Sequence, residues 1–88
     1  MNKDLKALHQ SKSTEVFHIE AALNNLKLVC SLQAKNDDET MAEHTSGIIQ
    51  DLTYRVEELK AEITSYENEF KRLQQQDNDQ IAMSMGYL

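Results

Sequence analysis

The chain has 88 residues, a single cysteine, no proline and a formal charge of −6 at neutral pH. A chain of this length buries little apolar surface alone and one cysteine cannot form an intrachain disulfide, so we expect a partner to stabilise it, most simply a second copy. The shortage of Lys and Arg argues against direct binding to nucleic acid, which needs a basic patch. We find no apolar run of membrane-spanning length and no signal-peptide pattern, so we expect a cytoplasmic (intracellular) protein that does not bind membranes.

The first predicted helix spans about residues 3–35 and carries two apolar stripes. One stripe has the alternating three- and four-residue spacing of a coiled-coil seam. Its members are Val16, Ile19, Leu23, Leu26 and Cys30. At about 100° per residue, a second stripe falls on another side of the helix. It consists of Phe17, Ala21, Leu28 and Leu32. Because one neighbouring helix covers only one stripe, we expect the second to bind another copy of the chain or a different protein.

A turn is predicted within the acidic stretch "AKNDDETMAEH", residues 34–44. Lys35 is a favourable last residue for the first helix, because its cation complements the helix dipole. Asn36 could cap the second helix, but Thr40 also begins a capping box, so the sequence does not choose between them. We place the turn at about residues 36–40, and such a short connection favours antiparallel helices.

The second predicted helix spans about residues 38–75 and has one continuous apolar seam. Its members are Ile49, Leu52, Val56, Leu59, Ile63, Tyr66, Phe70 and Leu73. The two seams predict an all-α fold, an antiparallel helical hairpin that dimerises into a four-helix bundle or coiled-coil assembly. A parallel coiled coil through residues 49–73 is the rival, although its flanking positions would bring like charges together. Gly47 is interpreted as a tolerated helical glycine that costs about 1 kcal/mol relative to alanine.

Charge is divided unevenly between the two halves of the chain. Residues 1–35 have a net charge of +2 by count, and residues 36–69 have a net charge of −8. A turn near residue 37 would pair residues whose numbers add to about 75. We therefore expect the region of Lys3, Lys6 and Lys12 to lie beside the stretch that holds Glu62, Glu67 and Glu69.

Two residue patterns could carry chemistry, and neither predicts a site. Glu15 and His18 form a Glu-x-x-His, the spacing used by di-metal carboxylate bundles, but the facing seam offers no further ligands. Cys30 and His44 would lie at similar positions along the axis of the hairpin. His44 falls outside the seam of the second helix, however, so no thiolate–imidazole pair is expected. We therefore predict no catalytic residue, no metal site and no cofactor.

The chain is interpreted as one helical-hairpin domain, residues 1–75, followed by a C-terminal tail, residues 76–88. The candidate interface residues are the outer stripe of the first helix, an outward tyrosine of the second helix and the apolar tail: Phe17, Ala21, Leu28, Leu32, Tyr54, Met83, Met85, Tyr87 and Leu88. They predict a non-enzymatic protein–protein interaction module, such as an adaptor, small chaperone or regulatory subunit, that acts through helix packing.

Two other functions are kept as alternatives. The second helix could place its acidic side chains in a basic groove, as an inhibitor or nucleic-acid mimic would. These side chains are Asp51, Glu57, Glu58, Glu62, Glu67 and Glu69. A di-metal helical-bundle enzyme is the remote alternative.

Overall fold

Two long helices connected by a short turn make up the structure, a computed structural model that describes the backbone of residues 2–84 and the side chains of residues 4–75. Helix α1 is Asn2–Lys35 and helix α2 is Glu39–Ser84. They pack against each other as a hairpin, which confirms the predicted all-α fold. Within residues 2–84 there is no strand, and neither helix has a stretch apolar and long enough to cross a membrane.

The turn closes α1 with a Schellman motif built on aspartate. The amide of Asp38 donates to the carbonyl of Gln33 at 2.9 Å, and the amide of Asp37 donates to the carbonyl of Ala34 at 3.2 Å. Asp37 has a φ of 58°, in the left-handed region where this motif usually places glycine. Aspartate tolerates this conformation better than most residues do, because its short polar side chain can hydrogen-bond locally.

Helix α2 is capped by Asp38, so both caps considered from the sequence were wrong. The Met41 amide lies 3.4 Å from the Asp38 carboxylate oxygen Oδ1, in the relation of the third helical residue to its cap. Asn36 still belongs to the last turn of α1, since its amide donates to the Leu32 carbonyl at 3.0 Å. Thr40 already lies inside α2.

Both predicted seams lie at the contact between α1 and α2. The buried apolar residues are Val16, Leu23, Val56 and Leu59, of which Leu59 is fully buried. Partly buried neighbours pack around them: Ile19, Ile49, Leu52 and Ile63. In the hairpin, α1 packs on the seam of α2 that the rival parallel coiled coil through residues 49–73 would use.

Ion pairs between the helices show the predicted register. They join Glu15 to Arg55 at 3.2 Å, Lys12 to Glu62 at 3.5 Å and Glu20 to Lys60 at 3.6 Å. The numbers of each pair add to about 75, as expected for a turn near residue 37. Exposed pairs each stabilise by less than about 1 kcal/mol, so they report the register more than they determine stability.

Polar contacts extend the packed zone towards both ends of α1. Near the turn, Thr45 is 4% exposed, and its hydroxyl donates to Oε1 of Gln33 at 2.7 Å. Near the open end, the His9 ring lies edge-on to Phe70 at a centroid distance of 6.0 Å, and its Nε2 is 3.2 Å from Oε1 of Glu67. His9 continues the heptad spacing of the α1 seam towards the N-terminus.

Helix α2 continues to Ser84, past the predicted end at residue 75. Residues 76–84 contain neither proline nor glycine, and their Gln, Met and Ala residues favour helix. The apolar seam therefore ends before the helix does. Among the proposed tail contacts, Met83 lies in the helix with its side chain outside the described part, and residues 85–88 lie outside the described residues.

Candidate interaction surface

The second apolar stripe of α1 is exposed along the side of the helix that faces away from α2. Phe17 is 70% exposed, Leu28 is 65% exposed and Leu32 is 59% exposed, while Ala21 is also exposed. We call these four residues the outer face of α1. Single exposed apolar residues are ordinary on soluble proteins, but a row of large ones on one helix is typical of a binding surface.

The outer face lies in a segment of α1 that carries little charge. Between residues 16 and 34, formal charge occurs only at Glu20 and Lys27. A surface with this composition can be covered by another apolar surface without leaving charges unpaired. The outer face is therefore suited to helix packing.

Tyr54 belongs to a different surface, on the outside of α2. It is 68% exposed, and acidic residues that are also exposed precede and follow it: Asp51, Glu57 and Glu58. Tyr54 was predicted as a contact together with the outer face of α1. The structure keeps it on the outside of α2, separate from the outer face of α1, as an exposed apolar residue between acidic ones.

Three further apolar residues are exposed at the edges of the hairpin near the turn. Val29 is 42% exposed, Met41 is 44% exposed and Ile48 is 38% exposed. The register places Val29 of α1 near Ile48 of α2, on the edge next to Leu32. The apolar seams do not point to these residues, because they flank the seams. The heptad positions beside the seam residues are the signal that could have found them.

A shallow groove lies along α1 beside the Phe17 side chain. Its lining residues are Ser13, Val16, Phe17, Glu20, Ala21 and Asn24. Four of them are spaced as i, i+3, i+4 and i+7, which is the set that forms the hole for one side chain of a packed helix. The groove is open and rests on a single helix, so it is suited to a side chain of another helix rather than to a small molecule.

The Glu15 and His18 pair is used in contacts other than metal binding. Glu15 accepts a hydrogen bond from Arg55, whose pKa is raised above its ordinary value by hydrogen bonds to Glu58 and to Glu15. The His18 ring lies edge-on to Phe17 at a centroid distance of 5.4 Å. Among the described residues, no group of three or more His, Cys, Asp or Glu side chains is arranged to hold a metal ion.

Cys30 is a partly buried seam residue. Its thiol donates to the carbonyl of Ala42 at 3.4 Å, across the two helices near the turn. His44 is exposed, as its position outside the α2 seam predicted.

Comparison of the chain with protein-family models, with curated proteins and with solved structures gave no match in any of the three. The interpretation of this surface therefore depends on its own geometry and charge.

Proposed function

We propose that this chain is a non-enzymatic protein–protein interaction module, an adaptor, small chaperone or regulatory subunit, that binds through the outer face of α1. The observation that carries the proposal is the exposure of three large apolar side chains, Phe17, Leu28 and Leu32, by 59% to 70%. Because α2 packs against the seam of α1, these three side chains do not belong to the core of the hairpin. Covering them removes apolar surface from water, which favours association.

The acidic surface of α2 favours the alternative function, an inhibitor or nucleic-acid mimic, less strongly. Four of its six proposed acidic residues are engaged in ion pairs within the hairpin. These pairs are Glu58 with Arg55, Glu62 with Lys12, Glu67 with His9 and Glu69 with Arg72. A mimic needs carboxylates that are free to meet the cations of its target, and these four already have partners within the hairpin, which for Glu58, Glu62 and Glu69 are Arg or Lys cations.

The two functions respond differently to salt and to substitution. Binding that depends on exposed charge weakens as salt rises, because the screening length falls to about 3 Å at 1 M ionic strength. Binding through apolar packing persists at high salt. Leu28→Asp would place a carboxylate in the packed surface and should abolish binding through apolar packing.

The test is capture of cellular proteins, and of a tagged second copy of the chain, on the immobilised chain at about 0.1 M and about 1 M salt. We expect proteins that stay bound to the immobilised chain at high salt and are not retained by the Leu28→Asp variant. Tyr54→Asp is the matched control, since it makes a similar apolar-to-acid change at an equally exposed position of α2. Capture that is lost in salt and is insensitive to Leu28→Asp would contradict the proposal and support the mimic.

A further inference from the structure

We infer that the partner that covers the outer face of α1 is the same face of a second copy, packed antiparallel about a two-fold axis near Asn24 and Asn25. The inference rests on the proposed function, because it names the partner of the same surface. In a two-fold interface, if residue i of one copy contacts residue j of the second copy, then residue j of the first copy contacts residue i of the second. The outer face can therefore be tested for self-complementarity from the order of its residues.

The outer face is self-complementary when the second copy runs in the opposite direction. Residues whose numbers add to about 49 then lie opposite each other. Phe17 meets Leu32 of the second copy, Ala21 meets Leu28, and the amides of Asn24 and Asn25 meet at the axis. The small Ala21 thus faces the large Leu28, Phe17 and Leu32 form an apolar contact at each end, and a central amide pair is the kind of polar contact that specifies register.

The groove beside Phe17 lies where this pairing needs it. The groove runs from Ser13 to Asn24, and the four lining residues at its C-terminal end, Phe17, Glu20, Ala21 and Asn24, form a hole centred between residues 20 and 21. In the antiparallel pairing, the residue of the second copy that lies opposite this centre is Leu28, which is 65% exposed in the hairpin. Each copy therefore presents one hole and one side chain to fill the hole of the other.

The two charges next to the outer face are also complementary in this arrangement. Glu20 lies near Lys27 of the second copy, and the two-fold axis repeats the contact. The side chain of Glu20 is 48% exposed beside Lys60, which leaves it able to contact a second cation. In a parallel arrangement this contact is absent, because the flank of α1 that carries Glu20 and Lys27 then lies on opposite sides of the interface in the two copies.

The antiparallel pairing also separates the strongest charges of the two copies. Residues 36–69, which have a net charge of −8 by count, begin after α1 and lie mostly on α2. When α1 packs on α1, the two α2 helices are on the outer sides of the assembly. The acidic surfaces around Asp51 and Glu57 then point away from each other, which limits repulsion between two chains of charge −6.

The first test is the mass of the chain in solution, measured by light scattering because an elongated molecule 74 Å long elutes anomalously from a sizing column. We expect the wild type to have twice its chain mass of 10.1 kDa, Leu28→Asp to have the single-chain mass and Tyr54→Asp to remain double. Circular dichroism reports whether each variant keeps its helix content. A single-chain mass for the wild type, or a double mass for folded Leu28→Asp, would overturn the inference.

A charge variant keeps the test valid if Leu28→Asp fails to fold. In Lys27→Glu, residue 27 faces Glu20 of the second copy with the same charge, while the ion pairs within the described hairpin do not involve Lys27. We expect the dimer dissociation constant to rise by about tenfold at low salt and by less at high salt. An unchanged dissociation constant would contradict the antiparallel contact.

Cysteine cross-linking tests the direction of packing. In a Cys30→Ala background, Asn24→Cys lies near the axis and should form a disulfide between copies, since two such residues meet there. Phe17→Cys should not, because Phe17 of one copy is about 22 Å along the helix from Phe17 of the other. Cross-linking at both positions would show parallel packing and refute the antiparallel arrangement.

The outcomes also separate this inference from the proposed function. A monomeric chain that captures a cellular protein through Leu28 would retain the proposed function and overturn the second-copy inference. A dimer that persists in Leu28→Asp, with capture unaffected by that change, would contradict both.

Discussion

The left-handed conformation of Asp37 predicts how substitutions at this residue change the free energy of unfolding. The predicted order of stability is reversed if one continuous helix passes through residue 37. In the hairpin, Asp37 has a φ of 58°, and its amide and that of Asp38 close the end of α1. An L-residue in this left-handed conformation is disfavoured by roughly 1–2 kcal/mol, and less for aspartate, whereas glycine has no such penalty. Replacing Asp37 by glycine removes this cost, and replacing it by alanine increases it.

The expected changes follow from two opposing effects. The greater freedom of glycine in the unfolded chain offsets about 0.5–1 kcal/mol of its advantage, so we expect Asp37→Gly to raise the free energy of unfolding by about 0.5–1 kcal/mol. Asp37→Ala should lower it by a similar amount, about 0.5–1 kcal/mol. For a domain of this size, 1 kcal/mol corresponds to a shift in Tm of about 4–8 °C.

The assay is thermal and urea unfolding followed by circular dichroism at a single protein concentration, because association makes Tm depend on concentration. The hairpin predicts the stability order glycine, aspartate, alanine. A helix that continued through residue 37 predicts the reverse order, since alanine is the best helix former and glycine among the worst. Alanine more stable than glycine would refute the Schellman turn.

Three further predictions concern packing, backbone and charge. Leu59→Ala should lower the free energy of unfolding by about 3 kcal/mol in urea titrations, because Leu59 is fully buried in the seam; a loss below about 1 kcal/mol would contradict its central place. Gly47→Ala should raise Tm, by the equivalent of about 1 kcal/mol, because an added Cβ meets no atom within 4 Å; a fall in Tm would indicate a close contact at that position. A double-mutant cycle on Glu15→Ala and Arg55→Ala should give a coupling of about 0.2–1 kcal/mol that decreases in salt, and a coupling that salt does not change would contradict an exposed pair.

The sequence predicted the seams well because their members are apolar at every position. In a pair of helices, Leu59 is removed from water only when its side of α2 packs against the other helix. Its spacing from Val56 and Ile63 shows which side of α2 that is. The pairing of α1 with α2 followed from the turn position, which a short polar connection restricts to a few residues. Small errors in the turn do not move the seams to other sides of the helices.

The turn itself could not be predicted to the residue. Asn36, Asp38 and Thr40 all have side chains that cap helices, so local preference does not decide among them. The choice depends on where α1 ends, since the Asp38 amide donates back to Gln33. An aspartate in the left-handed conformation is also uncommon enough that glycine-based turn signals give no indication of it.

Polar residues at the ends of the seam were missed for a related reason. Thr45 and His9 interrupt the apolar pattern, although they occupy seam positions in the structure. The Thr45 hydroxyl can be buried because Gln33 lies opposite and accepts its hydrogen bond. Such a pairing depends on two helices that are distant in sequence, so inspection of either helix alone does not reveal it.

The central claim is that α1 uses one side for α2 and its outer face for association, and sedimentation equilibrium of wild type, Leu28→Asp and Tyr54→Asp tests it most directly. The account predicts twice the chain mass for the wild type and for Tyr54→Asp, and the single mass of 10.1 kDa for Leu28→Asp. It is contradicted if Leu28→Asp keeps the mass of the wild-type assembly, or if Tyr54→Asp is the variant that dissociates.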